Sequence, residues 1–169
     1  TKFDTNHIKS IIKEYSEELK TRESDEEFKI SPYYILYKVM DTMYDKSIKM
    51  LTKSSKDMII LEEQLFISNK LEKKLLENLT IKKRNIVSLK HMFIPHKEIL
   101  GELQSALPKF YKEDLEVYFE DLEYKLDKIM NTIAISFENI ESLADTYNSL
   151  MTIKTNSMIS VLTIFAAIT

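Results

Sequence analysis

Apolar residues recur every three or four positions along nearly the whole chain, and the positions between them are mostly polar or charged. That is the period of an α-helix with one buried face, not the alternation of a half-buried strand. In residues 6–21, Ile8, Ile11, Ile12, Tyr15 and Leu19 mark a short helix that Asp4 or Asn6 can cap. Residues 22–30 are rich in charge and read as a linker. Ser31-Pro32 is a helix start, with a hydroxyl cap followed by proline at the first helical position. One helix is expected from Tyr33 to about Phe66, then a turn near Ser68-Asn69, then a second helix over about 71–105. Pro95 lies inside that second helix and is expected to kink it, because proline deletes a backbone hydrogen bond. The segment from Ser105 to Tyr111 reads as a loop, with Pro108 as its breaker.

From Lys112 to Thr169 there is no glycine or proline. A helix over those residues would be roughly 87 Å long. A globule of 169 residues has a radius of gyration of only about 15 Å. Such a helix must therefore pack along an antiparallel hairpin, along copies of itself, or both. Its expected apolar stripe is Leu115, Tyr118, Leu122, Leu126, Ile129, Ile133, Phe137, Ile140, Ala144, Tyr147 and Met151. Residues 115, 126 and 137 repeat every eleven positions, which describes a nearly straight stripe with little supercoil. The fold class is all-α: a long antiparallel hairpin followed by a very long helix, in an oligomer.

Composition narrows the chemistry. The chain has one glycine, Gly101, three prolines and no cysteine. Phosphate-binding loops and dinucleotide fingerprints need several glycines, so both are excluded. Disulfides, cysteine zinc sites and thiol catalysis are excluded as well. A net charge of −3 gives no strong field for nucleic acid. The charge is segregated: residues 113–127 hold seven acids and one base, Lys125, whereas residues 82–97 hold five bases and no acid. These runs read either as complementary faces of an antiparallel pair or as an acidic stretch that attracts cations. No residue set suggests an enzyme. His91 and His96 are five apart and do not share a helix face as metal ligands would, and all three histidines read as structural or solvent-facing.

The C-terminal end carries the sharper signal. Lys154 is the last charged residue, and the run from Met158 to Thr169 is apolar on all sides. It reads either as a core helix or as the start of a membrane-spanning helix that the chain leaves incomplete. Asp145, Asn148, Thr152, Asn156, Ile159 and Leu162 follow one another at helical steps and lie along a single stripe entering that run. If several copies surround an axis, the oxygen-bearing side chains would line a pore suited to a hydrated cation such as Mg2+. Ile159 and Leu162 would then form an apolar constriction. The other reading is that Thr155 and Asn156 only cap or mark the membrane interface.

The stretch from Tyr147 to Thr169 resembles the entry to the first transmembrane helix of CorA-type magnesium transporters, where an Asn precedes Val-Leu-Thr-Ile and small apolar residues. Residues 118–125, Tyr-Phe-Glu-Asp-Leu-Glu-Tyr-Lys, resemble that family's segment at the start of its long stalk helix. Residues 83–90 with the Pro95 region, and residues 33–41, are similar to the helices before it. The resemblance implies a homopentamer with a cytoplasmic stalk, a pore in the cell membrane, and Mg2+ or another divalent cation as both substrate and regulator. It implies that residues 1–30 are the tail of an N-terminal domain, 31–111 the stalk hairpin, 112–154 the stalk helix and 155–169 the start of the first membrane helix. It places Asp41, Asp121 and Asp145 on stalk aspartates that bind regulatory ions, and Asn156, Ile159 and Leu162 on pore-facing positions. The family often has Met where Ile159 stands. The rivals are a soluble helical coiled-coil scaffold and a Zn2+ transporter of the same superfamily. No nucleic-acid partner is expected.

Overall fold

The computed structural model describes residues 9–10, 12–13, 16–17, 32–67, 73–107 and 116–168. Four helices carry nearly all of it: α1 (Pro32–Ile67), α2 (Lys73–Phe93), α3 (His96–Ala106) and α4 (Glu116–Ile168). There is no strand among the described residues, so the fold is all-α, as the period of apolar positions requires. Residues 9, 10, 12, 13, 16 and 17 are helical. The remainder of the expected 6–21 helix, the 22–30 linker, the turn near Ser68-Asn69, the Pro108 breaker and the start of the last helix at Lys112 lie outside the described residues.

The expected second helix is two helices. α2 stops at Phe93, Ile94 and Pro95 form a turn, and α3 starts at His96. The backbone N–H of Ile94 still reaches the Lys90 carbonyl at 3.0 Å. Pro95 has no N–H to continue the ladder, and its ring disfavours the helical conformation at Ile94. Pro95 then serves as the N-cap of α3, and its carbonyl accepts from Ile99 at 3.1 Å. At the far end α3 runs through Ser105 and Ala106, two residues into the segment expected as a loop.

The buried stripe of α4 also differs from expectation. The buried residues are Phe119, Leu122, Leu126, Ile129, Ile133, Ser136, Ile140, Leu143 and Tyr147. Their steps alternate between three and four, a seven-residue repeat with a mean of 3.5 residues, not an eleven-residue one. Phe119 replaces Tyr118, Ser136 replaces Phe137 and Leu143 replaces Ala144, while Met151 is exposed. At position 136 the larger apolar neighbour, Phe137, is not the buried one; the seam must keep facing its partners, and that selects the period. The other helices repeat the spacing, with Tyr44, Leu51, Met58 and Leu65 on α1 and Leu79, Ile86 and Phe93 on α2.

The chain divides into two compact units. The first takes α1 as far as Lys49 together with Pro95–Ile129. Its core includes Tyr33, Tyr44, Leu100, Phe119, Leu122 and Leu126. The Tyr118 ring packs among those of Tyr33, Tyr34 and Tyr37, with centroids 4.8–6.1 Å away. The Tyr44 hydroxyl and His96 Nδ1 hydrogen-bond at 2.9 Å, tying α1 to α3. Burial pushes the Tyr44 hydroxyl up to about 12 and lowers His96 below the ordinary histidine value. Both shifts favour the neutral forms.

The second unit comprises Met50–Ile94 and Met130–Thr169. Leu61, Leu65, Leu75, Leu79, Leu143 and Tyr147 form one cluster in it. Lys82 pairs with Asp57 of α1 at 3.4 Å, and Lys83 pairs with Glu141 of α4 at 3.0 Å. Adjacent residues of a helix point about 100° apart, so α2 addresses both neighbours at once. These two lysines therefore meet acids of α1 and of the later part of α4, not the acidic run 113–127 that the charge pattern suggested.

Two outcomes follow for stability. Among the described residues, Ser136 Oγ is buried without a hydrogen-bond partner, and a methyl group at Gly101, inside α3, would meet nothing within 4 Å. Ser136→Ala and Gly101→Ala should each raise stability by about 0.5–1 kcal/mol, whereas Ile133→Ala, at a fully buried seam position, should cost about 2–5 kcal/mol. Denaturant midpoints measure all three. His96 binds its proton less readily when folded, so its contribution is intact above the unfolded value of about 6.5 and is lost as pH falls from there through the lower folded value. The melting temperature of the wild type should therefore fall more between neutral and mildly acidic pH than that of His96→Gln.

Candidate functional site

Two features of α4 carry possible function, one in each unit. In the second unit the buried seam ends at Tyr147, with Leu150 packed against the cluster. Every residue from Met151 to Ile168 is exposed. An 18-residue stretch of the helix has a mean hydropathy of 1.4 and none of it is buried, so it is long and apolar enough to cross a membrane. A soluble helix would cover such a surface, and Leu162, Phe165 and Ile168 expose 65–78% of theirs.

Asp145, Asn148, Thr152, Asn156, Ile159 and Leu162 are all exposed, and the first five lie on the side of α4 turned away from Ile140, Leu143 and Tyr147. The hydroxyls along this segment are satisfied by their own helix. Thr152 donates to the Asn148 carbonyl at 3.0 Å, Thr155 to that of Met151 at 2.9 Å and Thr163 to that of Ile159 at 2.8 Å. With the donor hydrogen used inside the helix, each hydroxyl oxygen is left to accept from water or to face a cation.

In the first unit the structure brings together two of the three aspartates expected to bind regulatory ions, Asp41 and Asp121. Tyr37, Asp41 and Asp45 are spaced four apart on one face of α1, and Asp121 and Lys125 are four apart on α4. The Lys125 ammonium contacts Asp41 Oδ1, lies 2.9 Å from Asp45 Oδ1 and lies 3.8 Å from Asp121 Oδ2. The Tyr37 hydroxyl donates to Asp121 Oδ2 at 2.9 Å. Asp41 and Lys125 are the most enclosed, at 15% and 18% exposure. Burial by itself would loosen the Lys125 proton, but the bonds to Asp41 and Asp45 and the charges of Asp41 and Asp121 outweigh it, and Lys125 is held above its ordinary range. The Tyr37 hydroxyl is also raised, first by burial and then by its bond to Asp121 and the charge of Asp41.

Asp145 is exposed in the second unit, apart from this cluster. Among the described residues, no three His, Cys, Asp or Glu side chains are arranged to hold a metal ion. Lys125, Asp45 and Tyr37 were not expected from the sequence. The available signal was the match between two series of residues at four-residue spacing, one acidic and one ending in the only base of an acidic run. It becomes readable only when α1 and α4 are known to lie parallel, with partners 84 residues apart.

Long helices, one of which continues past its packed seam as an uncovered apolar segment headed by an oxygen-bearing stripe, define an all-α protein with a candidate membrane span. The chain belongs to the CorA-like Mg2+ transporter protein family, which matches residues 5–169. It is 30% identical over 135 residues to the cobalt/magnesium transport protein CorA of Thermotoga maritima. That match covers 80% of this chain and 38% of the relative, so the chain spans well under half of the length of the protein it resembles.

Proposed function

We propose that this chain is the stalk and pore entry of a divalent cation transporter, with Mg2+ as the transported ion. The observation that carries the reading is the stripe Asp145, Asn148, Thr152 and Asn156 leading into the uncovered apolar end of α4. In this reading several copies, five by the family resemblance, surround an axis that the stripe faces. Residues 1–30 end an N-terminal domain, 31–111 form the stalk hairpin in the cytoplasm, 112–154 form the stalk helix and 155–169 enter the bilayer.

The division of labour along the stripe follows from its chemistry. The Asp145 carboxylate raises the local concentration of cations at the mouth. The Asn148, Thr152 and Asn156 oxygens accept from the hydration shell of an ion that sheds water reluctantly. Ile159 and Leu162 offer such an ion no hydrogen bonds, so a ring of them closes the path by excluding water. No covalent step occurs and no catalytic group is required. Asp145 is the stalk aspartate left open to a regulatory ion, in company with a carboxylate from elsewhere in the assembly. Asp41 and Asp121 do not fit a free ion within the chain, because the Lys125 ammonium stands between them.

Tracer flux into vesicles carrying the full-length protein tests the reading. Mg2+ uptake is expected, and Ile159→Asn, which wets the constriction, should raise it several-fold. Asn156→Leu should reduce it by at least about tenfold, equivalent to roughly 1.4 kcal/mol on the barrier. Vesicles that pass Zn2+ but not Mg2+, or neither ion, would sink the proposal.

A further inference from the structure

The packed part of the second unit ends at one level. Leu65, the last buried residue of α1, Leu75, the first of α2, and Tyr147, the last of α4, belong to the same apolar cluster. They form a floor, and α4 alone continues past it. Phe66 stands at its edge and leaves 65% of its surface uncovered, although it is next to Leu65. Lys73 and Lys74 are exposed at the same end. The Lys73 side chain is 91% exposed, and its pair with Glu77, at 3.8 Å on an open surface, holds it weakly. Charge changes sign across the floor. Among the described residues, the last acids before it are Glu63 on α1, Glu77 on α2 and Asp145 on α4. Past it stand Lys73, Lys74 and Lys154, with no described acid. Lys70 and Glu72, outside the described residues, cancel in charge.

We propose that this floor rests on the surface of the bilayer that α4 enters, with Lys73, Lys74 and Lys154 against the phosphates of anionic phospholipids and the Phe66 ring at the headgroup edge. The inference rests on the reading that α4 enters a bilayer near Thr155. Thr155 lies eight residues past Tyr147, about 12 Å along the helix. The headgroup layer takes up roughly 5–7 Å of that rise. Lysine side chains bridge the remaining gap, with the stem along apolar surface and the ammonium in the polar layer. The attraction of each ammonium to an anionic surface reaches about a Debye length, roughly 8–10 Å, so all three lysines lie within its range. The contact gives the tip of the α1–α2 hairpin a fixed height above the bilayer. A movement of the bundle is then passed to the membrane segment of α4 without a slack stretch between them.

Hydrogen exchange of the full-length protein tests this in nanodiscs of phosphatidylcholine alone and of phosphatidylcholine mixed in equal parts with phosphatidylglycerol. Peptides covering residues 62–79 should exchange about fivefold or more slowly in the mixed discs. The difference should persist in Lys73→Arg/Lys74→Arg and vanish in Lys73→Glu/Lys74→Glu and in high salt. Peptides covering residues 118–129, in the first unit, should be alike in both lipids. Inorganic phosphate added to the phosphatidylcholine discs should not slow exchange over 62–79. Equal exchange in the two lipids, or a difference that survives the glutamate substitutions, overturns the proposal. Slowing by inorganic phosphate alone overturns it in favour of a soluble anion. Peptides covering residues 155–168 report on the membrane reading separately and should be protected in both lipids. Rapid exchange there overturns both readings, whereas protection there without a lipid effect over 62–79 overturns the contact alone.

Discussion

Each helix of this chain has to hide a narrow apolar stripe that it cannot hide alone. An isolated helix gains little from its own hydrogen bonds in water, so its stability comes from the face it packs. The stripe here is two residues wide at most and repeats every seven positions, from Phe119 to Tyr147 on α4 and from Tyr44 to Leu65 on α1. That spacing keeps the seam pointed at its partners for many turns. It also explains how Ser136 comes to be buried. The repeat reaches residue 136 whatever side chain stands there, and a small one lets the neighbouring backbones approach.

Apolar contacts are non-directional, so the seam alone permits helices to slide by one repeat. Charge pairs remove that freedom. In the first unit the parallel register of α1 and α4 is set by Tyr37 with Asp121 and by Asp41 with Lys125, two contacts of identical sequence separation. In the second unit the consecutive residues Lys82 and Lys83 reach Asp57 and Glu141, which sets α2 against two partners together. The break at Pro95 has a comparable role, since it lets α3 start afresh with His96 turned toward Tyr44.

Where the seam ends, the character of α4 changes without any change in its backbone. Tyr147 is buried and everything from Met151 onward is exposed, although the helix continues unbroken to Ile168. An uncovered apolar helix is costly in water and at home in a bilayer. The oxygen-bearing stripe crosses this boundary on the side away from the seam, which leaves it free to face an axis or an ion.

The sequence by itself determined that the chain is all-α, that α4 runs on without a breaker, that its last segment is apolar all around, and which family it resembles. The first three are properties of composition and spacing within one helix, the resemblance rests on short motifs, and none needs knowledge of neighbours. It also marked Asp41, Asp121 and Asp145. Only the tertiary structure decided that the seam repeats every seven residues, because the choice between Phe137 and Ser136 depends on what stands opposite. It alone paired Asp41 and Asp121 with Lys125 and added Asp45 and Tyr37, because residues 84 apart become neighbours only through the parallel packing of two helices. A lone base in an acidic run reads as a solvated side chain until the opposite face is known, and here that face holds Asp41 and Asp45, with which it pairs.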